Sequence, residues 1–175
     1  MRLLPAALLL SLTACSGITV TNDYDPQADF STLRTYSWLL SPAAVTGIDS
    51  LTGQRIIRSV DAELAARGFR KLEGGTPDFL VHALAAINQR LEAVPTTTTV
   101  GYGWRGGYMA YGTGTEIRSY DEGTLILDVI SPATKQLIWR GTAKAAVSGN
   151  RSPEEREARI REAVALVLDS FPPRK

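Results

Sequence analysis

The chain has 175 residues, with 44% hydrophobic and 21% charged side chains, enough for one domain around one core. Its 19 basic residues, one of which (Arg2) lies in a leader, stand against 18 acidic ones, so the mature chain is formally neutral and offers no electrostatic case for nucleic acid. A single cysteine excludes an internal disulfide, and the sequence shows neither a block of like charges nor a repeat at the usual periods.

Met1-Arg2 precedes an apolar run from Leu3 to Leu12, broken only by Pro5 and Ser11. A transmembrane helix needs about 20 residues, so the run fits the apolar region of a secretory signal. It ends in Leu12-Thr13-Ala14-Cys15, which resembles the bacterial lipobox, where the leader is cut just before a lipid-modified cysteine. Residues 1–14 are thus expected to be a lipoprotein signal peptide and 15–175 a single envelope domain, with Cys15 as the lipid attachment. Ordinary cleavage near Ala14 would instead leave a lone free thiol, which a secreted chain has to explain. Each buried methylene contributes about 0.8 kcal/mol and one chain anchors only marginally; a diacylglyceryl cysteine with a further acyl chain such as palmitate holds firmly. Ser16 stands where an Asp commonly retains lipoproteins at the inner membrane. The expected address is therefore the outer membrane, periplasmic side, if the source has two membranes.

Ile18 to Tyr24 alternates and reads as a first strand that starts almost at the anchor. Arg34 to Trp38 is a short second strand after the Asp25-Pro26 break, and Ser41 to Gly47 is a connection. Ile56, Ile57, Val60 and Leu64 recur at helical spacing; Asp49 or Ser50 can cap the start, and Gly68 stands where a left-handed C-cap belongs. Phe69 to Leu72 is a short strand. Asp78 to Leu91 is a long one, with apolar residues on both faces and small residues at its middle, which leave room for a bulky group such as Trp139.

Val94 to Thr115 combines a Thr run with clustered Gly and has no hydrophobic periodicity. It is expected to be a mobile projecting loop. Its Tyr102, Trp104, Tyr108 and Tyr111 are candidate partner contacts, because Tyr and Trp give large contact area at low entropic cost. A flexible surface loop without a role is the plain alternative. From Glu122 to Val147 two alternating runs flank the turn Ser131-Pro132-Ala133-Thr134-Lys135, the pattern of an antiparallel hairpin with one buried face. Leu127, Val129 and Trp139 form its core side, and Asp128 can pair with Arg140 across the strands. Ser152, Pro153 and Glu155 spell a capping box that opens the last helix, whose buried stripe is Ile160, Ala163, Val164, Val167, Leu168 and Phe171. The order β-β-α-β-β-(Gly-rich loop)-β-β-α implies an α+β fold, an antiparallel or mixed β-sheet with two helices packed on it.

Few motifs carry chemistry. Gly101-Tyr102-Gly103-Trp104-Arg105-Gly106 matches the letters of a dinucleotide fingerprint, but a polar Thr run precedes it where a buried strand is required. His82 is the sole histidine, so an ordinary zinc site or a nucleophile–histidine pair lacks its parts, and no metal or cofactor is expected. Asp121, Glu122 and Asp128 are close in sequence, and a carboxylate hydrolase would need two of them across a cleft.

Blocks in order resemble one known pattern: Asp29-Phe30-Ser31, Thr35-Tyr36-Ser37-Trp38, Val60 to Phe69, Pro77 to Val81, Glu122-Gly123-Thr124-Leu125, Leu137 to Gly141 and Phe171-Pro172. Together they resemble the bacterial lipoprotein family known as domain of unknown function 4136, over nearly the whole mature chain. Lys135 departs from it, since such a turn often has Gly. The resemblance implies a small α+β envelope domain and transfers no catalytic residue. The leading expectation is a non-enzymatic, lipid-anchored envelope protein that binds a partner or stabilises an assembly. A periplasmic carrier or chaperone for an apolar or glycan ligand is the alternative, and a carboxylate hydrolase comes last.

Overall fold

A computed structural model describes residues 17–39, 45, 47–101 and 109–173. In chain order the elements are β1 (Ile18–Tyr24), β2 (Thr35–Trp38), α1 (Ser50–Ala66), β3 (Arg70–Lys71), β4 (Phe79–Gly101), β5 (Met109–Ile130), β6 (Leu137–Val147) and α2 (Pro153–Leu168). The strands form one mixed sheet in the order β1-β6-β5-β4-β2-β3, with β2 parallel to both β3 and β4 and the other pairs antiparallel.

Local chemistry sets both helices. Asp49 accepts the Thr52 amide at 3.0 Å and caps α1. At its far end Gly68 takes φ +88°, and the Phe69 amide bonds back to the Leu64 carbonyl, which satisfies carbonyls that the helix leaves open. In α2 the Ser152 hydroxyl accepts the Glu155 amide while the Glu155 carboxylate accepts the Ser152 amide, a complete capping box.

Both helices lie on one face of the sheet. Ile56, Ile57, Val60 and Leu64 of α1 and Val164, Val167 and Leu168 of α2 share one core with Val81, Ala83, Leu125, Leu127, Val129, Trp139 and Ala143. Ile160 and Ala163, placed in the buried stripe by the sequence, are only partly buried. Phe171 follows α2 and closes the core against Trp139, Phe69 and Phe79 at centroid distances of 5.1–5.5 Å. The alanines of β4 do not receive Trp139. Its ring lies over Gly141 of its own strand, where an added Cβ would come within 2.4 Å of both the indole and Val167.

Polar ties fix the β2 side. Asp61 of α1 accepts from the Tyr36 hydroxyl (2.8 Å), the Trp38 indole (2.9 Å) and Lys71 (3.2 Å). Burial, and then the Asp61 carboxylate, push the Tyr36 phenol well above its ordinary range. Asp78 accepts the Arg34 and Thr35 amides and the Thr35 hydroxyl, which hold its carboxyl below the usual range. The β5–β6 turn closes with Lys135 itself at φ +61°, its amide donating to the Ser131 carbonyl at 2.9 Å. Lysine occupies a left-handed position that glycine adopts without steric cost.

The sequence expectation of a loop over Val94–Thr115 is overturned for Val94–Gly101 and Met109–Thr115, and residues 102–108 lie outside the described residues. β4 runs without a break to Gly101 and β5 resumes at Met109, paired from Val94↔Glu116 to Gly101↔Met109. β6 ends where Val147 meets Asp121. From Arg90↔Tyr120 outward, β4 and β5 therefore pair only with each other among the described residues, as an arm on the order of 40 Å long. From Val94 to Gly101 the sequence carries no period-two apolar pattern, and the β-favouring Thr run is what extends the ribbon. Pro95 is tolerated because each arm strand has a free edge on its outer side.

Candidate functional site

Three places in the described residues combine unusual chemistry with access. The first is the row on the sheet face away from the helices, where His82, Asp128, Arg140 and Asp23 lie opposite one another across β4, β5, β6 and β1. Asp128 is 5% exposed, and its two oxygens accept from Arg140 Nε and Nη2 at 2.6 and 2.7 Å, the cross-strand pair expected from the sequence. That bond draws the Arg140 guanidinium further up its range. His82 Nδ1 stands 4.0 Å from Asp128 Oδ2, beyond hydrogen-bond reach. With both oxygens committed to Arg140, this carboxylate is not a free base. The expected carboxylate group does not converge either: Asp121 and Glu122 alternate to opposite faces, and Glu122 is engaged by Arg90 at 3.1 Å. Among the described residues no three His, Cys, Asp or Glu are grouped to hold a metal, and no helix is long and apolar enough to cross a membrane.

The second place is a cavity of about 400 Å³ on the helix side, between the N-terminal halves of α1 and α2 and the sheet. Its apolar wall comes from Ile18, Ile56, Leu125, Val147 and Ile160, and its floor from Ala85, Gly123, Ala143 and Ala145. The physical cause is graded side-chain size. Gly141 lets α2 approach the sheet closely at one end, while towards the other end the alanines are too short to fill the space. Arg151, Arg156 and Arg159 stand at the rim with Asp49 and Asp121. Arg159 donates Nη1 to Glu162 at 2.9 Å, yet its Nε is buried with no partner among the described residues.

The third place is the arm. Leu91, Ala93 and Ile117 fall on the helix-side face of the ribbon, and Leu91 and Ile117 are 74% and 69% exposed. The opposite face is charged, with Arg90 on Glu122 and Arg118 on Glu116. Among the described residues both long edges of the arm lack a strand partner, the arrangement that templates pairing with another chain.

Of the residues expected to contact a partner, Tyr111 takes a register position in the arm opposite Thr99. Tyr102, Trp104 and Tyr108 lie outside the described residues, as does Cys15. Sequence reasoning missed the Asp61 hub, the cavity and the apolar stripe of the arm. The small residues at the middle of β4 were the one sequence signal of the cavity, and the sequence reading gave their space to Trp139.

Residues 20–173 match the model of DUF4136, described as a domain of unknown function. No curated protein matches the sequence. Among solved structures, the chain is similar to a PDZ domain protein from Parabacteroides distasonis (TM-score 0.55, 15% identity), covering 90% of this chain and 37% of that one. It is also similar to the PelC dodecamer from Paraburkholderia phytofirmans (TM-score 0.50, 11% identity), covering 90% of this chain and 99% of that one. The chain spans only 37% of the length of the first of these. At such identities the likeness is one of fold.

Proposed function

The chain belongs to the DUF4136 family, and we propose that this member is a lipid-anchored protein of the bacterial envelope that works without catalysis, by assembling with further copies of itself. The observation that carries the reading is the arm. A two-stranded ribbon alone in water is at best marginally stable, and this one holds Leu91 and Ile117 in solvent on one face. A neighbouring copy that covers the stripe or pairs with a free edge removes both costs. The similar PelC chain is itself described as a dodecamer, which supports an oligomer over an isolated subunit; the contact the arm offers is arm to arm, the same stripe of two copies meeting.

The address rests on Leu12-Thr13-Ala14-Cys15. A lipidated Cys15 followed by Ser16 suits the periplasmic side of an outer membrane, and β1 begins three residues later. Such a short tether holds every copy at one height above the bilayer, which favours assembly in the membrane plane. Cys15→Ala is expected to lose acyl labelling and leave the detergent phase; retention of both would overturn the anchor.

Disulfide trapping in cells tests the assembly. Cys15 is the sole native cysteine, so Ile117→Cys or Leu91→Cys adds one exposed thiol on the arm. The expected result is oxidised dimers from either arm variant and none from Lys135→Cys, which places the thiol on the β5–β6 turn instead. No dimer from either arm position, or equal trapping at Lys135, overturns the reading.

A further inference from the structure

We infer that the cavity between the helices and the sheet is a binding site for a single-chain amphiphile with an anionic head, a long-chain carboxylate. The inference stands on the single chain and does not depend on assembly through the arm.

Size and lining point to the tail. About 400 Å³ falls in the range of small-molecule sites, and the walls are aliphatic, from Ile18, Ile56, Leu125 and Ile160 over an alanine floor. Most of the lining is aliphatic and its charged groups include Arg151, Arg156 and Arg159, which favours an acyl chain with a charged head over a sugar ring. Charge points to the head. Three arginines stand at the rim against two carboxylates, and Asp49 is already committed to capping α1 through the Thr52 amide. Arg159 is the specific element. Its Nη1 donates to Glu162 at 2.9 Å, which orients a guanidinium that lines the cavity. A ligand carboxylate at the mouth meets this oriented guanidinium in a charge-assisted bond. Arg156 donates to the Gly149 carbonyl at 3.3 Å, which holds a second guanidinium at the same mouth.

The test uses the full chain with its anchor, held in amphipol, and two photoreactive probes. One is a palmitate analogue with a mid-chain diazirine; the other is the matching hexadecanol analogue. The expected result is saturable labelling by the palmitate probe on peptides carrying Ala143–Val147 and Ile160–Ala163, with the alcohol weaker by roughly tenfold or more, as for loss of an ionic hydrogen bond. Arg159→Gln should weaken the palmitate probe by a similar factor and leave the alcohol unchanged. Ala145→Phe, which fills the floor, should block both probes while melting near wild type. If Ala145→Phe does not fold, Ala163→Leu fills the same space from α2 and is read the same way. Equal labelling by both probes, unchanged palmitate labelling in Arg159→Gln, or labelling away from the cavity overturns the inference. So does absence of labelling, whether the space then stays empty or takes the arm of another copy.

Discussion

Asp128 and Arg140 meet across β5 and β6 through two bonds of 2.6 and 2.7 Å, with the carboxylate buried and the guanidinium nearly half exposed. Two parallel bonds between planar groups fix the register of the hairpin as well as neutralising the charge. Removing one partner leaves a buried charge uncompensated, whereas removing both can be nearly neutral. Arg140→Met is therefore expected to destabilise the domain by about 1–3 kcal/mol, below the usual range for a fully buried pair because water still reaches the guanidinium. The double variant with Asp128→Leu should recover most of that loss. Urea denaturation of the three variants and wild type closes the cycle; additive losses would show that the two side chains act independently.

That pair and both helix caps were legible in the sequence because each is set by neighbours a few residues apart or by period-two alternation around one turn. The arm was not. Thr96 to Val100 lacks apolar alternation, so the usual strand signal was missing and only β-propensity remained. The cavity was out of reach for another reason. Ala85, Ala143, Ala145 and Ala163 come from three elements, and each alone reads as an ordinary small residue. Their shared consequence exists only once the sheet register brings them together.

Gly141 is where α2 comes closest to the sheet. A Cβ there meets the Trp139 indole and Val167 at 2.4 Å, so Gly141→Ala is expected to cost about 1–3 kcal/mol by overpacking. Trp139→Ala, at a side chain with no exposure, should cost about 3–5 kcal/mol. Denaturant melts report both. A neutral Gly141→Ala would mean that the helix and indole shift freely apart.

The Lys135 turn predicts a gain. At φ +61° a side chain crowds the backbone, and Lys135 is exposed, with no described contact to lose. Lys135→Gly should stabilise the protein by about 0.5–1 kcal/mol, since relief of the left-handed conformation outweighs the added freedom of the unfolded chain. Thermal melts would show a higher midpoint; a lower one would mean that the lysine side chain holds the turn.

The claim on which the account turns is that the β4–β5 arm joins copies of the chain, and the mass of the lipid-anchored protein in amphipol, read by native mass spectrometry, tests it most directly. The account predicts a multimer for wild type and a monomer for the Leu91→Glu, Ile117→Glu double variant, with little change in melting midpoint, because both side chains lie in solvent on the single chain. A monomeric wild type, or a double variant that keeps the wild-type mass, would contradict it.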